Sequence, residues 1–255
     1  MDPITPPTID TTHTDTAHTK KCRLVAAVNY VNGAYYDSIV YNYTDTAVTS
    51  FTDYYNDSNP GSFVINLISA AGHITNINYT NVTWMLEVLY NVDGTIKQLN
   101  RYRNADVSPN YTEAWKFQYM NAKLVQVDEV ASAAIGSAVV GRVLYMYSGN
   151  NVTHTRIIRD NVDPQDSLSE YDYTYDSTPN ALATIRNRLR FTDPTFFDGE
   201  MNFNVYAFLI SENNLTSIKI ENQSLPVTRQ LDADKNLTAV LFGGEKLMGY
   251  YYKCN

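Results

Sequence analysis

The segment 84–99 reads WMLEVLYNVDGTIKQL and carries the strongest indication of the fold. Two runs rich in apolar residues flank the dipeptide Asp93-Gly94. An Asp-Gly pair between two such runs is the strongest short-range signal for a β-hairpin, because both turn positions tolerate positive φ angles. The segment therefore predicts two antiparallel strands joined by a tight turn.

Similar hairpin patterns follow one another along the chain, each with a tyrosine shortly before its turn. In four successive units these tyrosines are Tyr90, Tyr119, Tyr147 and Tyr175, which recur at intervals of 28 or 29 residues. A fixed period of this kind indicates repeated supersecondary units. With weaker copies on both sides, the sequence predicts about eight hairpins, or about 14–16 strands of ordinary length. We expect an all-β antiparallel meander that twists into a spiral sheet or an open barrel.

The first residues differ in composition from the rest of the chain. Residues 1–20 are rich in Thr, Asp and Pro and have almost no apolar periodicity, which predicts a disordered N-terminal tether. Residues 21–255 are predicted to form a single β-hairpin-repeat domain. The start of the chain shows neither the basic nor the apolar region of a signal peptide. No apolar run approaches the roughly 18–20 residues that a transmembrane helix needs.

The charge balance excludes one class of partner. Asp and Glu number 27 against 19 Lys and Arg, so the formal net charge is −8. A nucleic-acid-binding protein normally presents a basic surface to neutralise phosphates. We therefore expect no nucleic-acid partner.

The chain has two cysteines, Cys22 and Cys254, one near each end. In an oxidising compartment they can close a very long loop, which the chain-entropy model values at about 4–5 kcal/mol. The alternative is two unrelated buried thiols, as in many cytosolic proteins. The sequence favours the disulfide, because paired cysteines are typical of exported domains.

The hairpin units resemble those of YD-repeat proteins. The phrases LYNVDGTI at 89–96, QYMNAKL at 118–124 and YTYD at 173–176 look like diverged copies of the unit Y-x-Y-D-x-x-G-x-L. They are most similar to the YD-repeat-like lipoproteins of Bacteroidota, in which a Pro- and Asp/Thr-rich linker precedes the β domain. The resemblance covers about residues 24–254. It implies export and a hairpin-repeat architecture, and it supplies no catalytic residues.

An acidic cluster is the main candidate for chemistry. Asp160, Asp163, Asp166, Glu170 and Asp172 lie within thirteen positions of one another. Two carboxyl groups from Asp160–Asp172 could support a carbohydrate-active hydrolase, and several carboxylates could also form a weak calcium site. The simpler interpretation is a solvated acidic loop. No nucleophile elbow, phosphate loop or His-Glu-x-x-His motif is present in the sequence.

Aromatic residues near position 190 suggest a place for a ligand. Phe196 and Phe197 lie in a long departure from the hairpin period, and Tyr171 and Tyr173 lie on the neighbouring unit. Together these four residues are a predicted ligand-binding patch, since insertions in repeat folds often gather on the binding face. The alternative is that the two phenylalanines plug one end of the barrel.

These observations favour a non-enzymatic, exported protein of the cell envelope. We expect a binding or surface-assembly module whose ligand is a glycan, a peptide or another envelope protein, with no cofactor and no metal. The resemblance implies an outer-membrane-anchored lipoprotein, periplasmic or at the cell surface. Contact with the membrane would then occur only through a lipid anchor that this sequence does not include.

Overall fold

The computed structural model describes residues 22–44, 47–55, 61–70, 73–80, 84–103, 111–131, 138–159, 168–181, 210–221 and 223–254. Sixteen strands lie within them: β1 Cys22–Val31, β2 Ala34–Thr44, β3 Ala47–Tyr55, β4 Gly61–Ala70, β5 His73–Tyr79, β6 Trp84–Tyr90, β7 Ile96–Arg103, β8 Glu113–Met120, β9 Lys123–Ala131, β10 Val139–Ser148, β11 Asn151–Arg159, β12 Leu168–Pro179, β13 Asn213–Ile220, β14 Gln223–Leu231, β15 Leu237–Phe242 and β16 Glu245–Cys254. The predicted all-β meander is confirmed. The predicted tether at 1–20 lies outside the described residues.

The sheet closes on itself, and the prediction of a spiral sheet or an open barrel was wrong. Each strand pairs with its neighbours in sequence, and β1 pairs with β16 to complete a closed barrel. The β1–β16 pairing is antiparallel and runs from Cys22 opposite Cys254 to Asn29 opposite Met248. Closure removes the two edges that would otherwise present unpaired backbone N–H and C=O groups.

The predicted disulfide lies at this closing pair of strands. Cys22 and Cys254 are bonded to each other, and their Cα atoms are 4.0 Å apart. They are also direct cross-strand partners in the ladder. The bond therefore joins the first strand to the last at the point where the barrel closes.

Two compact units divide the chain. The first comprises Met1–Ile65 with Val227–Asn255, and the second comprises Asn66–Pro226. The first unit buries Val28 and Phe51, with the ring of Tyr41 6.2 Å from that of Phe51. The second unit, which contains β5–β13, has its own buried set of apolar side chains: Ile77, Leu99, Trp115, Val127, Val143, Tyr145, Val152 and Ile218.

The hairpin at Asp93-Gly94 forms, but its turn is longer than the two residues that the sequence predicts. Asn91 N donates to the carbonyl oxygen of Thr95 at 2.8 Å, and Gly94 N donates to that of Asn91 at 3.0 Å. Gly94 has a φ of 83°. The Asp93 carboxylate accepts bonds from the Thr95 amide and hydroxyl groups, so a local side-chain bond stabilises the wider loop.

Tyrosines at the ends of strands share a structural feature. The pairing register shifts immediately before Tyr43, Tyr90, Tyr119, Tyr147 and Tyr175, each of which lies on an even-numbered strand that pairs with the next strand in the chain. A bulge of this kind bends the strand locally and redirects the side chain beside it. The 28-residue tyrosine period of the sequence thus corresponds to a register shift that recurs immediately before the tyrosine in these strand pairs.

Four of these tyrosines make the same hydrogen bond. Each hydroxyl group donates to a backbone carbonyl of the preceding strand: Tyr43 to Leu24 at 2.6 Å, Tyr90 to Ile74 at 2.8 Å, Tyr147 to Leu124 at 2.8 Å and Tyr175 to Val152 at 2.5 Å. The bonds link neighbouring strands near one end of the hairpins. Burial raises the pKa of Tyr175 to about 12, so its hydroxyl group remains a donor at physiological pH.

Candidate functional site

The second unit has an apolar face and a polar face, which the strand register defines. On the apolar face, Val127 lies between Phe117 and Val143, and Val143 is also paired with Ile157. These side chains are buried. On the polar face, Asp128 lies between Lys116 and Arg142. Residues two apart on one strand point to the same face, so away from the register shifts this pairing assigns the described side chains of β6–β13 to one face or the other.

Charged side chains on the polar face form pairs of opposite sign across the strands. Asp128 Oδ1 accepts a bond of 2.7 Å from Arg142 Nε. The same carboxylate accepts bonds from the amide groups of Gln118 at 2.8 Å and Gln126 at 2.9 Å. Asp172 lies opposite both His154 and Lys219 in the register. Cross-strand pairs of opposite charge stabilise a sheet by roughly 0.2–1 kcal/mol each.

The predicted acidic cluster is described only in part. Asp160, Asp163 and Asp166 lie outside the described residues. Glu170 and Asp172 lie on the polar face of β12, and both are about half exposed.

Basic side chains of β11 pair with both of these carboxylates. His154 Nδ1 is 2.7 Å from Asp172 Oδ1, and Arg156 Nε is 3.4 Å from Glu170 Oε1. Within the described parts of the chain, no three His, Cys, Asp or Glu side chains are arranged to hold a metal ion. A calcium site and a hydrolytic carboxylate pair at Asp160–Asp172 both stay predictions.

The predicted ligand patch is also described only in part. Tyr171 and Tyr173 lie on the apolar face, where they are paired with Ile220 and Ile218 of β13. Tyr173 is 3% exposed, and Tyr171 is half-buried. Burial raises the pKa of Tyr173 above its ordinary value. Phe196 and Phe197 lie outside the described residues, so ligand binding by these four residues stays a prediction.

A charged cluster that the sequence analysis did not identify lies on the apolar face of β7–β11. Arg101 Nη1 donates a bond of 2.9 Å to Glu113 Oε2. Glu129 lies beside Glu113 on the next strand and shares a side-chain hydrogen bond with it. Arg159 acts on Glu129 through its positive charge. We call these four residues the Glu113–Glu129 cluster.

Gly141 leaves room for the Glu129 side chain within this cluster. Gly141 is the direct cross-strand partner of Glu129 on β10. A Cβ atom at position 141 would lie 2.8 Å from Glu129 Oε2, closer than ordinary contacts allow. Burial, the hydrogen bond with Glu113 and the Glu113 charge raise the pKa of Glu129 from 4.5 to about 7. The two arginines oppose this shift.

A weak sequence signal for this cluster existed. The spacing Glu113-x-Trp115-x-Phe117 puts a glutamate on the same face of a strand as two aromatic residues, and aromatic residues on such a face are usually buried. The partners of Glu113 come from three other strands, however, and only the register brings them together.

The fold thus defines a class: a closed antiparallel β-barrel of sixteen strands in simple up-and-down order. None of the described helices is long and apolar enough to span a membrane. No protein-family model matches the chain, and no curated protein matches it.

Solved structures share this fold. A porin-like protein from Bacteroides uniformis aligns with a TM-score of 0.57 and 13% identity over 95% of this chain and 100% of its own. A porin-like protein from Bacteroides vulgatus aligns with a TM-score of 0.50 and 12% identity over 90% of this chain and 98% of its own. Likeness at this identity shows the fold alone. The YD-repeat resemblance stays a prediction.

Proposed function

We propose that the chain is an exported, non-enzymatic barrel of the cell envelope that works in an aqueous phase as a binding or assembly module. The distribution of polar and apolar side chains between the two faces of β6–β13 carries this proposal. The fold alone is compatible with several functions, because barrels of one topology serve as channels, carriers and scaffolds.

The polar face is the one that we assign to the outside. Apolar-face residues such as Val127, Val143 and Trp115 are almost completely buried. In a closed barrel, an outer face has no second sheet to cover it, whereas an inner face is enclosed. The polar face carries exposed or half-exposed charges on adjacent strands: Lys116, Arg142, Arg156, Glu170, Asp172 and Lys219.

An outer face of this composition is unsuited to lipid. Membrane barrels present an apolar band about 25 Å tall, and each Arg or Lys at the bilayer midplane is unfavourable by about 2–4 kcal/mol. Arg142 is 41% exposed, and it lies next to the strands that carry the exposed pair of Glu170 with Arg156, so the charges are not at isolated positions. Water satisfies such a surface without any of these penalties, which supports a position outside the bilayer.

Export is supported by the Cys22–Cys254 bond, because disulfides persist in oxidising compartments such as the bacterial periplasm or cell surface. Anchoring as a lipoprotein would place the barrel at the outer membrane, as the YD-repeat resemblance implies. We propose a glycan or an envelope protein as the ligand. Contact through Tyr171, Tyr173, Phe196 and Phe197 remains part of this proposal.

Purification without detergent tests the aqueous position. We expect protein produced with its disulfide to remain monodisperse in plain buffer. In a liposome flotation assay, it should not move to the lipid fraction with either neutral or anionic liposomes. An array of envelope polysaccharides and peptides then tests the binding role. Aggregation that only detergent relieves, together with stable insertion into liposomes, would overturn the proposal.

A channel is the second candidate, favoured by the likeness to two proteins described as porin-like. Planar-bilayer recording separates the two functions. Discrete conductance steps would support the channel. A silent bilayer with protein that is soluble without detergent would support the aqueous module.

A further inference from the structure

The Glu113–Glu129 cluster is unusual because it places four charged side chains among buried apolar ones. Arg101 is paired in the strand register with Leu86, and Glu129 is paired with Trp115. Leu86 and Trp115 are both almost completely buried. Ionised groups rarely occupy such surroundings unless they are paired. The formal charges of two carboxyl groups and two guanidinium groups sum to zero only if both glutamates are ionised.

The geometry opposes ionisation of both glutamates at once. Glu113 already accepts the bond from Arg101 at 2.9 Å. Glu129 lies against Glu113, which raises its pKa, while the charges of Arg159 and Arg101 only partly offset this effect. Two adjacent carboxylates repel each other, and a single proton held between them converts the repulsion into a hydrogen bond. The residues that face Glu129 and carry charge are therefore Glu113 on β8, Arg101 on β7 and Arg159 on β11.

Gly141 keeps the Glu129 carboxyl group in this position. The carboxyl oxygen occupies the space that a methyl group at position 141 would fill. β10 supplies no side chain at this point, so Glu129 extends over its backbone. The contact between the carboxyl groups of Glu113 and Glu129 therefore depends on glycine, rather than a residue with a side chain, at position 141 of β10.

We propose that Glu113 and Glu129 share one proton, and that loss of this proton loosens the β8–β9 region of the barrel. With the proton in place, the two carboxyl groups hold the strands together. Without it, two carboxylates lie side by side, and the charges of Arg101 and Arg159 offset their repulsion only in part. The pair is then a pH-responsive device, independent of whether the barrel binds a glycan, a protein or neither.

Carboxyl NMR of protein with ¹³C-labelled glutamate tests the proton directly. In the wild-type protein, we expect one glutamate signal with a titration midpoint near 7, in accord with the raised pKa of Glu129. Glu129→Gln should abolish that signal. The control Glu170→Gln, on the polar face, should leave it unchanged. A wild-type spectrum in which every glutamate titrates below pH 5 would overturn the proposal.

Hydrogen exchange tests the structural consequence. After correction for the intrinsic effect of pH, amide protection in β8 and β9 should fall at least threefold between pH 6 and pH 8 in the wild-type protein, on the order of the population changes that coupled carboxyl groups produce. Glu129→Gln should remove this fall, and Glu170→Gln should retain it. An equal fall in Glu129→Gln would show that another group is responsible and would refute the device.

Gly141→Ala provides a second variant if Glu129→Gln does not fold. The new methyl group is too close only to Oε2 at the far end of the flexible Glu129 side chain, and its distances of 3.5 and 3.7 Å to Cβ and Cδ are ordinary contacts, so the protein should fold. The carboxyl group must move away from its present position, and the NMR midpoint should shift by at least one pH unit toward the ordinary glutamate range. A midpoint identical to that of the wild-type protein would contradict the role of Gly141 and the proposal with it.

Discussion

The hydroxyl group of Tyr147 donates a hydrogen bond of 2.8 Å to the backbone carbonyl of Leu124 on the preceding strand. The register shift between Met146 and Tyr147 lies immediately before it. The same combination of bulge and hydroxyl bond occurs at Tyr43, Tyr90 and Tyr175. A repeated tyrosine therefore links adjacent strands by a side-chain bond as well as by the backbone ladder.

We expect Tyr147→Phe to lower the free energy of unfolding by about 1 kcal/mol, because the ring keeps its packing and only the hydroxyl bond is lost. Urea denaturation measures the difference. Tyr36→Phe is the control, since Tyr36 is 44% exposed and should change stability by less than about 0.5 kcal/mol. Equal effects of the two substitutions would show that the Tyr147 bond contributes nothing particular.

Loss of the disulfide should have a larger effect. The bond joins residues 232 positions apart, and the chain-entropy model assigns a loop of that length about 5 kcal/mol. We expect the double variant Cys22→Ser with Cys254→Ser to show a strongly reduced melting temperature in calorimetry. Reduction of the wild-type protein with dithiothreitol should lower its melting temperature to that of the double variant. A melting temperature unaffected by either treatment would mean that the β1–β16 ladder alone keeps the barrel closed.

A substitution in the hairpin turn at Asn121-Ala122 should stabilise the protein. Ala122 has a φ of 60°, in the left-handed region that favours glycine. Ala122→Gly should therefore raise the free energy of unfolding by about 0.5–1 kcal/mol. Gly94→Ala, at a φ of 83°, is the matched reverse change and should lower it by at least as much. Chemical denaturation of both variants checks the signs, and a destabilised Ala122→Gly variant would contradict this interpretation of the turn.

Stability should also depend on pH through Glu129. Its folded-state pKa of about 7 lies above the ordinary value of 4.5, so the folded protein binds more protons between these two pH values. This contribution to stability is fully present below pH 4.5 and is lost as the pH rises through 7. After allowance for partial solvent screening, we expect a loss of about 1–2 kcal/mol.

Urea titrations at pH 5 and pH 8 measure this loss as the difference between the wild-type protein and Glu129→Gln. Glu170→Gln should follow the wild-type protein. If the wild-type protein instead gained stability relative to Glu129→Gln as the pH rises, the pH dependence would be opposite to the one expected, and the explanation would be wrong.

Local patterns predicted much of the fold. Period-two alternation and turn residues indicated about 14–16 strands in hairpin order, and the two cysteines indicated their own bond. The predicted bond between Cys22 and Cys254 implied that the two ends of the chain meet. The ladder between β1 and β16 was not predicted, because it joins segments more than 200 residues apart and has no local signature. The bulge before Tyr147 was also missed, since a bulge changes the register without changing the composition of the strand.

The candidate site was harder to predict for the same reason. Arg101, Glu113, Glu129 and Arg159 come from four strands, and none of them is unusual in its own segment. Tyr173, a predicted ligand-binding residue, is turned by the alternation of β12 toward Ile218 and the buried side chains, and its part in binding stays a prediction. The predicted residues that fall outside the described ranges, such as Phe196 and Phe197, stay predictions.

The neighbouring positions of Cys22 and Cys254 make the order of the strands effectively cyclic. Each strand bonds to the strands before and after it, and the last bonds to the first. A circular permutant could therefore join the two ends through a short linker and begin at a hairpin turn, such as Gly149-Asn150. It would contain the same strand pairs and the same Tyr147 and Tyr175 hydrogen bonds. In this barrel, the choice of which strand comes first is independent of the native contacts.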